Sequence, residues 1–347
     1  MSNLATKVLD DIQKELKIDE QWMSRKNNSL TWVAHKLEQT FSVSEPFTFL
    51  GKEAVSVESR IPVAVHVKKS KEQVCGLLCQ FNYTTIGSAY VFDADRAEVF
   101  SSLKVVVTEA DFAERCWQIR THAMFQMIMA EHQAQYIHDA LSGDLATADS
   151  VRAQPDAMLN SFMDFVTSRP RSENRFENQD EFKLAAEYCQ KIGGVSSDPD
   201  HPGATLEFRF SDFSTATASL ITDDEHPSVG RGLRTLLALP IGYKTNEQAS
   251  LAANELNLRE VADKENGDFL GAWSIDQRTE NRSPVFTSYL PNALFAKSLV
   301  GKSAVQLGMR ARTCERWRFP DTGFKKTALE IVMARKGQLF EEKDTFH

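Results

Sequence analysis

The sequence predicts an α+β protein made of two tandem domains, each with the element order α-β-β-β-α-β-β-α and an antiparallel sheet packed against helices. Three observations support this prediction. Helical and strand patterns of hydrophobic residues alternate along the chain, their order begins again near its middle, and 347 residues exceed what one hydrophobic core usually organises. The predicted units are a first domain over 1–143, a connector over 144–177 and a second domain over 178–347.

The first domain opens with a helix and continues as sheet. Leu4, Val8 and Ile12 lie at helical spacing, so a helix is predicted over 4–18. Residues 29–67 are rich in β-branched and aromatic side chains, which predicts two or three strands there. The next predicted elements are a short helix and two strands joined by a polar turn, over 69–81, 86–92 and 97–107.

A long helix closes the first domain. Cys116, Ile119 and Ala123 recur at intervals of three and four residues, and this pattern extends over 111–141. The small residues Ser142-Gly143 end the helix.

The connector and the second domain follow. Pro155 and Pro170 stand among small polar residues and arginines, a composition typical of a linker over 144–177. After the connector, the element order of the first domain repeats. The predicted elements are a helix, three strands, a helix, two strands and a closing helix, over 180–192, 204–210, 215–222, 233–241, 246–262, 268–275, 285–290 and 301–317.

The second half carries a resemblance to a known family. A helix opens at Thr245-Asn246-Glu247-Gln248-Ala249, and a hairpin runs from Gly267-Asp268-Phe269-Leu270-Gly271 to Pro284-Val285-Phe286-Thr287. In this order of elements it resembles the YbjN family and type III secretion chaperones. The first half, with Trp32 in its opening strand and a long final helix, resembles them in looser form. The resemblance implies two chaperone-like domains that bind a partner protein and catalyse no reaction.

The overall charge bears on the class of partner. The formal net charge is -8, whereas nucleic acids and anionic membranes attract proteins with a positive field. No apolar stretch approaches the roughly 20 residues that span a bilayer, and residues 1–19 mix charged with apolar side chains, unlike a signal peptide. We therefore predict a cytoplasmic protein with no nucleic-acid partner and no membrane segment.

The cysteines give no disulfide framework. They are Cys75, Cys79, Cys116, Cys189 and Cys314. Their odd number and apolar surroundings are typical of buried thiols in a reducing compartment, so no disulfide is predicted. Cys75 and Cys79 lie one helical turn apart, but no second ligand pair of zinc-site spacing accompanies them, and they are predicted to be buried thiols.

Short motifs identify no catalytic residue, cofactor or metal site. Gly301-Lys302-Ser303 is similar to the end of a phosphate-binding loop, but Ala296 occupies the position of the loop's earlier glycine. His122, His132 and His138 are not four residues apart and are predicted to be solvated. A basic cluster in the last helix has two interpretations, contact with an acidic partner or a solvated helix face; its members are Arg310, Arg312, Arg316 and Arg318.

Aromatic side chains in predicted strands are the candidate partner-binding residues. They are Trp32, Trp273, Phe286 and Tyr289. On an exposed sheet face such side chains would anchor a bound peptide, whereas in an ordinary core they would pack beneath the helices. Both interpretations are compatible with the sequence.

Three functions are compatible with these features. The leading hypothesis is a non-enzymatic, chaperone-like or regulatory protein that accepts an extended protein segment on an open antiparallel sheet. The alternative is an enzyme or small-ligand module, which an enclosed polar pocket with perturbed carboxylates or histidines would favour. A third is a scaffold subunit, in which the tandem domains act as a dimer within one chain or the chain forms a homodimer.

Overall fold

The computed structural model contains two antiparallel sheets packed against helices, which confirms the predicted α+β class. It describes residues 3–147, 195–196, 203–211, 214–226, 228–263, 267–276, 282–291 and 299–318. Within these ranges there are five α-helices, an eight-stranded sheet in the first half and a six-stranded sheet in the second. The helix predicted over 180–192 and most of the predicted connector lie outside the described residues.

The first half contains three helices and eight strands. The helices are α1 (Asn3–Glu15), α2 (Lys71–Tyr83) and α3 (Phe112–Leu141). The strands are β1 (Met23–Lys26), β2 (Ser29–Val33), β3 (Glu38–Val43), β4 (Phe47–Phe49), β5 (Lys52–Val65), β6 (Ala89–Asp93), β7 (Glu98–Thr108) and β8 (Asp144–Leu145). The sheet runs in the order β1-β2-β3-β5-β7-β6, with β4 and β8 each paired to β5.

The second half repeats this arrangement. Its described strands are β9 (Val195–Ser196), β10 (Gly203–Ser211), β11 (Ser214–His226), β12 (Gly230–Ala238), β13 (Ala272–Ile275) and β14 (Pro284–Pro291). Its described helices are α4 (Asn246–Ala262) and α5 (Leu299–Arg318). The sheet order is β9-β10-β11-β12-β14-β13.

The two sheets share one topology over five strands. The path β2-β3-β5-β7-β6 in the first half corresponds to β10-β11-β12-β14-β13 in the second, with a helix before each edge strand and another after each hairpin. The first sheet also has β1, β4 and β8, which the sequence did not predict. The residues 144–147, assigned by sequence to the connector, continue this sheet, because β8 pairs with β5 and Thr147 pairs with Leu37.

The first hydrophobic core lies between the first sheet and the helices α1 and α3. Almost every residue of α3 between Cys116 and Met127 is buried, as expected for a helix that is packed on all sides. A polar network crosses this core, in which the Nε1 of Trp32 donates to Gln39, while Gln39 and Gln126 both bond to Ser59. These bonds satisfy polar groups that would otherwise be costly to bury.

The helices α2 and α4 join the two halves. Each begins with a side-chain cap, from Ser70 for α2 and from Thr245 for α4. The helices pack against each other, and each also contacts both β6 and β13, the edge strands of the two sheets. Each central helix therefore belongs to the packing of both halves.

Asparagine side chains of these helices occupy the outer edges of β6 and β13. Asn82 accepts from the backbone N–H of Tyr90 and donates to its carbonyl, at 2.7 and 2.8 Å. Asn257 makes the same pair of bonds to Trp273, at 2.8 and 3.0 Å. Asn254 of the second half also makes this pair of bonds, accepting from the backbone N–H of Phe92 in the first half and donating to its carbonyl. Backbone groups at which an added strand would pair are therefore already bonded at these residues.

The C-terminal ends of α2 and α4 are each held by the opposite half. The buried Nζ of Lys104 in β7 donates to the carbonyls of Glu260 and Asp263 at the end of α4. At the end of α2, the Nε2 of His226 donates to the carbonyl of Thr84 at 2.8 Å. Donors at a helix C-terminus satisfy carbonyls that have no partner within the helix. These reciprocal contacts interlock the two halves.

We expect acid to weaken this junction through His226. Its Nε2 donates to Thr84 while its Nδ1 accepts from the N–H of Ser228 at 3.1 Å, an arrangement that only the neutral ring allows. Burial lowers the pKa of His226, so the unfolded chain binds the extra proton first as the pH falls. The contribution of this group to the free energy of unfolding should fall below about pH 6.5, by at most about 1.4 kcal/mol per pH unit.

Denaturant unfolding at pH 7.5 and pH 5.5 would measure this effect. The variant His226→Gln should show a weaker pH dependence than the unsubstituted chain. The exposed His132 provides the matched control, and His132→Gln should leave the pH dependence unchanged. An equal pH dependence in the chain and in His226→Gln would contradict the prediction.

Candidate functional site

A polar cleft lies where the two halves meet. The long helix α3 forms one side, α5 forms another, and the strands β12 and β14 form its floor. The cavity has a volume of about 60 Å³, which is room for several waters or for one small polar group. Residues from both halves line it, so the cleft exists only when the halves are assembled.

Asp268 is the central carboxylate of the cleft. Its Oδ1 accepts from the backbone N–H of Val106 at 2.9 Å, and its Oδ2 accepts from Arg115 at 2.7 Å and from Gln306 at 2.5 Å. The side chain of Asp268 is 2% exposed. Charge-assisted bonds of this kind compensate for the loss of water around a buried carboxylate. Asp268 thus links β7, α3 and α5.

Arg310 is the most buried of the three basic residues that line the cleft among those described. Its Nε donates to Glu260 at 2.6 Å, and its Nη2 donates to the carbonyl of Asp268 at 2.7 Å. Glu260 also accepts from the Nε1 of Trp273 at 3.2 Å. The guanidinium lies 3.8 Å from the centroid of the Phe286 ring, a cation–π geometry. Arg310 is therefore buried and held from several directions.

Lys302 stands at the solvent side of the cleft. Its Nζ donates to Glu114 at 2.5 Å, and about a third of its side chain is exposed. The opening of the cleft therefore has a cation within reach of solvent.

His122 lines the cleft as a neutral ring. Its Nδ1 lies 2.8 Å from the carbonyl of Gln118 and must be the protonated nitrogen, since a carbonyl only accepts. Burial lowers the pKa of His122. Gly87, which has a φ of +79°, lies directly against this ring, since a Cβ at that position would be 2.3 Å from the imidazole Cδ2. Only glycine permits this close approach.

The cleft lacks the hydrogen bonding of a nucleophilic catalytic site. Among the described residues, the one hydrogen bond of His122 goes to Gln118, and none joins it to the lining hydroxyls of Ser288 and Ser303. A nucleophile and its base are expected within hydrogen-bond reach of each other. The described geometry places fixed charges around a small polar space.

The four predicted partner-binding aromatic residues all lie in the interior. Trp32, Trp273, Phe286 and Tyr289 are each at most 2% exposed. The hydroxyl of Tyr289 donates to the carbonyls of Asp224 and Gly230. Of the two interpretations that the sequence left open, these side chains follow the second, packing in the interior. Phe286 is the member of this set that lines the cleft.

Several other site predictions were tested by burial. The prediction that His122 is solvated is wrong, since it is buried, whereas His132 is exposed. Arg310 does not lie on a solvated helix face. Cys75 and Cys79 are buried free thiols, as predicted.

Sequence reasoning missed most of the cleft residues. Arg115, Gln118 and Gln306 carried no motif, and Asp268 was noted only as part of a hairpin. The available signal was a set of charged residues interrupting otherwise apolar helices, with Arg310 beside Ala311 and Arg115 beside Cys116. A charged residue flanked by core residues predicts a buried partner, but it does not identify that partner.

Among the residues that the structure describes, no group of three or more His, Cys, Asp or Glu side chains is placed to hold a metal ion. No helix among those described is long and apolar enough to cross a membrane.

Comparisons of this chain with protein-family models, with curated proteins and with solved structures found no match.

Proposed function

We propose that this chain is a binding protein whose ligand places a polar group in the cleft between the two halves. The observation that carries this proposal is a polar cavity lined by both halves at their junction, with an ion-pair network around it. Ligand sites commonly lie at such interfaces and use a few fixed polar groups for orientation. A polar pocket lined by a histidine with a perturbed pKa is also the kind of feature that favours the small-ligand alternative of the sequence analysis.

Binding is favoured over catalysis by the way the lining groups are used. Arg115 and Arg310 are held by carboxylates, and His122 bonds to the carbonyl of Gln118. Groups fixed in this manner are pre-organised to hold a ligand at low entropic cost. A cytoplasmic location, expected from the composition of residues 1–19 and from the cysteines, belongs to the same proposal.

The edges of β6 and β13 are less suitable for a ligand than the cleft. An extended protein segment binds a sheet edge through free backbone N–H and C=O groups. At Tyr90, Phe92 and Trp273 the asparagine side chains of α2 and α4 already bond to these groups. We therefore assign the ligand to the cleft rather than to a strand added at either edge.

Filling the cleft should abolish ligand binding. Ser303 lines the cavity, and Ser303→Trp would fill its volume without removing a charge. The full-length chain, labelled at its arginine side chains, would be screened by NMR against a library of small polar fragments. We expect fragments that shift the Nε–Hε signals of Arg115 and Arg310 in the unsubstituted chain to have no effect on Ser303→Trp.

The exposed residue Ser42 in β3 supplies a matched control. Ser42→Trp adds the same bulk away from the cleft and should bind fragments normally. Unfolding curves of both variants would establish that they remain folded. The proposal would be overturned if no fragment shifted the arginine signals, or if Ser303→Trp bound the fragments as well as Ser42→Trp.

A further inference from the structure

We infer that the group bound in the cleft is a small oxyanion, either a carboxylate or a phosphate. This inference rests on the proposed function and specifies the chemistry of its ligand. It rests on the charges that line the cavity, the hydrogen-bond donors left unused on those charges, the hydrogen bonds already made to Asp268, and the size of the space.

The charges that line the cavity are mostly positive. Arg115, Lys302 and Arg310 are basic, and Asp268 is the one carboxylate among the described lining residues. The remaining counter-ions, Asp111, Glu114 and Glu260, pair with Arg115, Lys302 and Arg310 but do not line the cavity. The side chains that a ligand contacts directly are therefore mainly cationic, and their counter-ions contact them from outside the cavity.

The arginines retain unused donors. Arg115 donates through Nε to Asp111 and through Nη1 to Gln118 and Asp268, while its Nη2 has no hydrogen bond to any described residue. Arg310 donates through Nε and Nη2, and its Nη1 likewise has no hydrogen bond to any described residue. A guanidinium has five N–H groups, and carboxylates and phosphates are the acceptors that it binds best.

In contrast to the arginines, the carboxylate of Asp268 is already engaged in hydrogen bonds. Both oxygens of Asp268 already accept hydrogen bonds, from Val106, Arg115 and Gln306. A cationic ligand would compete with Arg115 and Gln306 for this carboxylate, which has about four acceptor sites, and displacing either of them would cost a buried hydrogen bond. The network thus favours an acceptor ligand and disfavours a donor.

The size of the cavity limits what enters it. A volume of about 60 Å³ accommodates a carboxylate or phosphate group. The rest of a larger ligand would extend past Lys302, whose side chain is 32% exposed. Two sources fit this chemistry, a free small anion and an acidic group carried by a peptide.

Three probes of similar shape test the charge preference. They are acetate, acetamide and acetamidinium, and their binding to the full-length chain would be followed by the Nε–Hε signals of Arg115 and Arg310. We expect saturable shifts with acetate and with inorganic phosphate, and none at the same concentration with acetamide or acetamidinium. Lys302→Met should weaken acetate binding about tenfold, the effect of one lost charge-assisted hydrogen bond.

Lys7 offers a matched control, because it also forms an exposed ion pair with a glutamate, here Glu109, away from the cleft. Lys7→Met should leave acetate binding unchanged. The source of the anion would be identified with a short peptide bearing a free C-terminal carboxylate and with its amidated form. Tighter binding of the free acid than of acetate would assign the site to a peptide, and tighter binding of phosphate would assign it to a free anion.

Different results would overturn the two levels of the proposal. If acetamide or acetamidinium bound as tightly as acetate, and Ser303→Trp blocked them, the cleft would be a ligand site but the anion preference would be refuted. If none of the probes and no fragment bound, the proposed function itself would fail. Equal weakening of acetate binding by Lys7→Met and Lys302→Met would also refute the anion site in the cleft.

Discussion

Fragments 1–169 and 170–347 are expected to be insoluble when each is expressed alone and to form a soluble complex when they are expressed together. The second hydrophobic core contains first-half residues, since Cys79, Ala89, Val91 and Phe100 pack with the apolar residues of the second sheet at 3% exposure or less. Separation would expose this surface and leave Lys104 without its carbonyl partners on α4. Exposed apolar area of that kind drives aggregation.

Solubility, circular dichroism and size measurement of the single and co-expressed fragments would test this expectation. The full-length chain under the same conditions is the control for expression and tags. Cooperative denaturant unfolding of each fragment alone would contradict it and would support autonomous domains. Autonomy is the expectation from sequence, because each half has helices and strands enough for a core of its own. The structure provides contacts across the halves that element order cannot predict.

Local patterns predicted most of the fold. The helix α4 was predicted over 246–262 and spans Asn246–Ala262, because Thr245 supplies an N-cap that is recognisable in sequence. The strand β5 was recognised through its β-branched residues. The strands β1, β4 and β8 were not predicted. They have two to four residues, which is too short for a recognisable alternation of apolar residues. β1 is an edge strand of the sheet, whereas β4 and β8 pair with the two ends of β5.

The cleft was not predicted, for a physical reason. Asp268 and Arg115 are 153 residues apart in sequence, and a buried ion pair has the same residue types as two solvated charges. Burial is decided by how the helices α3 and α5 pack between the sheets, and that packing is not encoded in local periodicity. The aromatic residues illustrate the same limit, since the sequence places them in strands but leaves open whether the sheet face that they occupy is covered.

The largest effect of a single substitution is expected at Glu260 in α4. Glu260 and Arg310 form an ion pair in which the side chains are 1% and 6% exposed. Glu260→Gln keeps the size of the side chain but removes its charge, which leaves the guanidinium buried without its counter-ion. Breaking such a pair from one side costs about 3–5 kcal/mol of the free energy of unfolding.

Glu255, on the same helix, makes the matched comparison possible. It pairs with Arg259 four residues later, and both side chains are largely exposed, at 51% and 42%. Glu255→Gln is the same chemical change one and a half turns away, and exposed pairs of this spacing contribute only about 0.3–0.5 kcal/mol. Urea unfolding at neutral pH should therefore separate the two variants by several kcal/mol. A similar loss in both would show that burial does not govern the strength of the pair.

The double variant Glu260→Gln with Arg310→Met tests whether the loss arises from an unpaired charge. If it does, removing both charges should cost less than the sum of the two single substitutions, because neither partner is then left buried alone. Coupling energies of contacting residues are on the order of 0.5–3 kcal/mol, and the buried position of this pair places the expectation at the upper end. Strict additivity would mean that the loss at Glu260 does not arise from its pairing with Arg310. The hydrogen bond from the Nε1 of Trp273 does not complicate this test, because the side-chain oxygen of a glutamine at position 260 still accepts it.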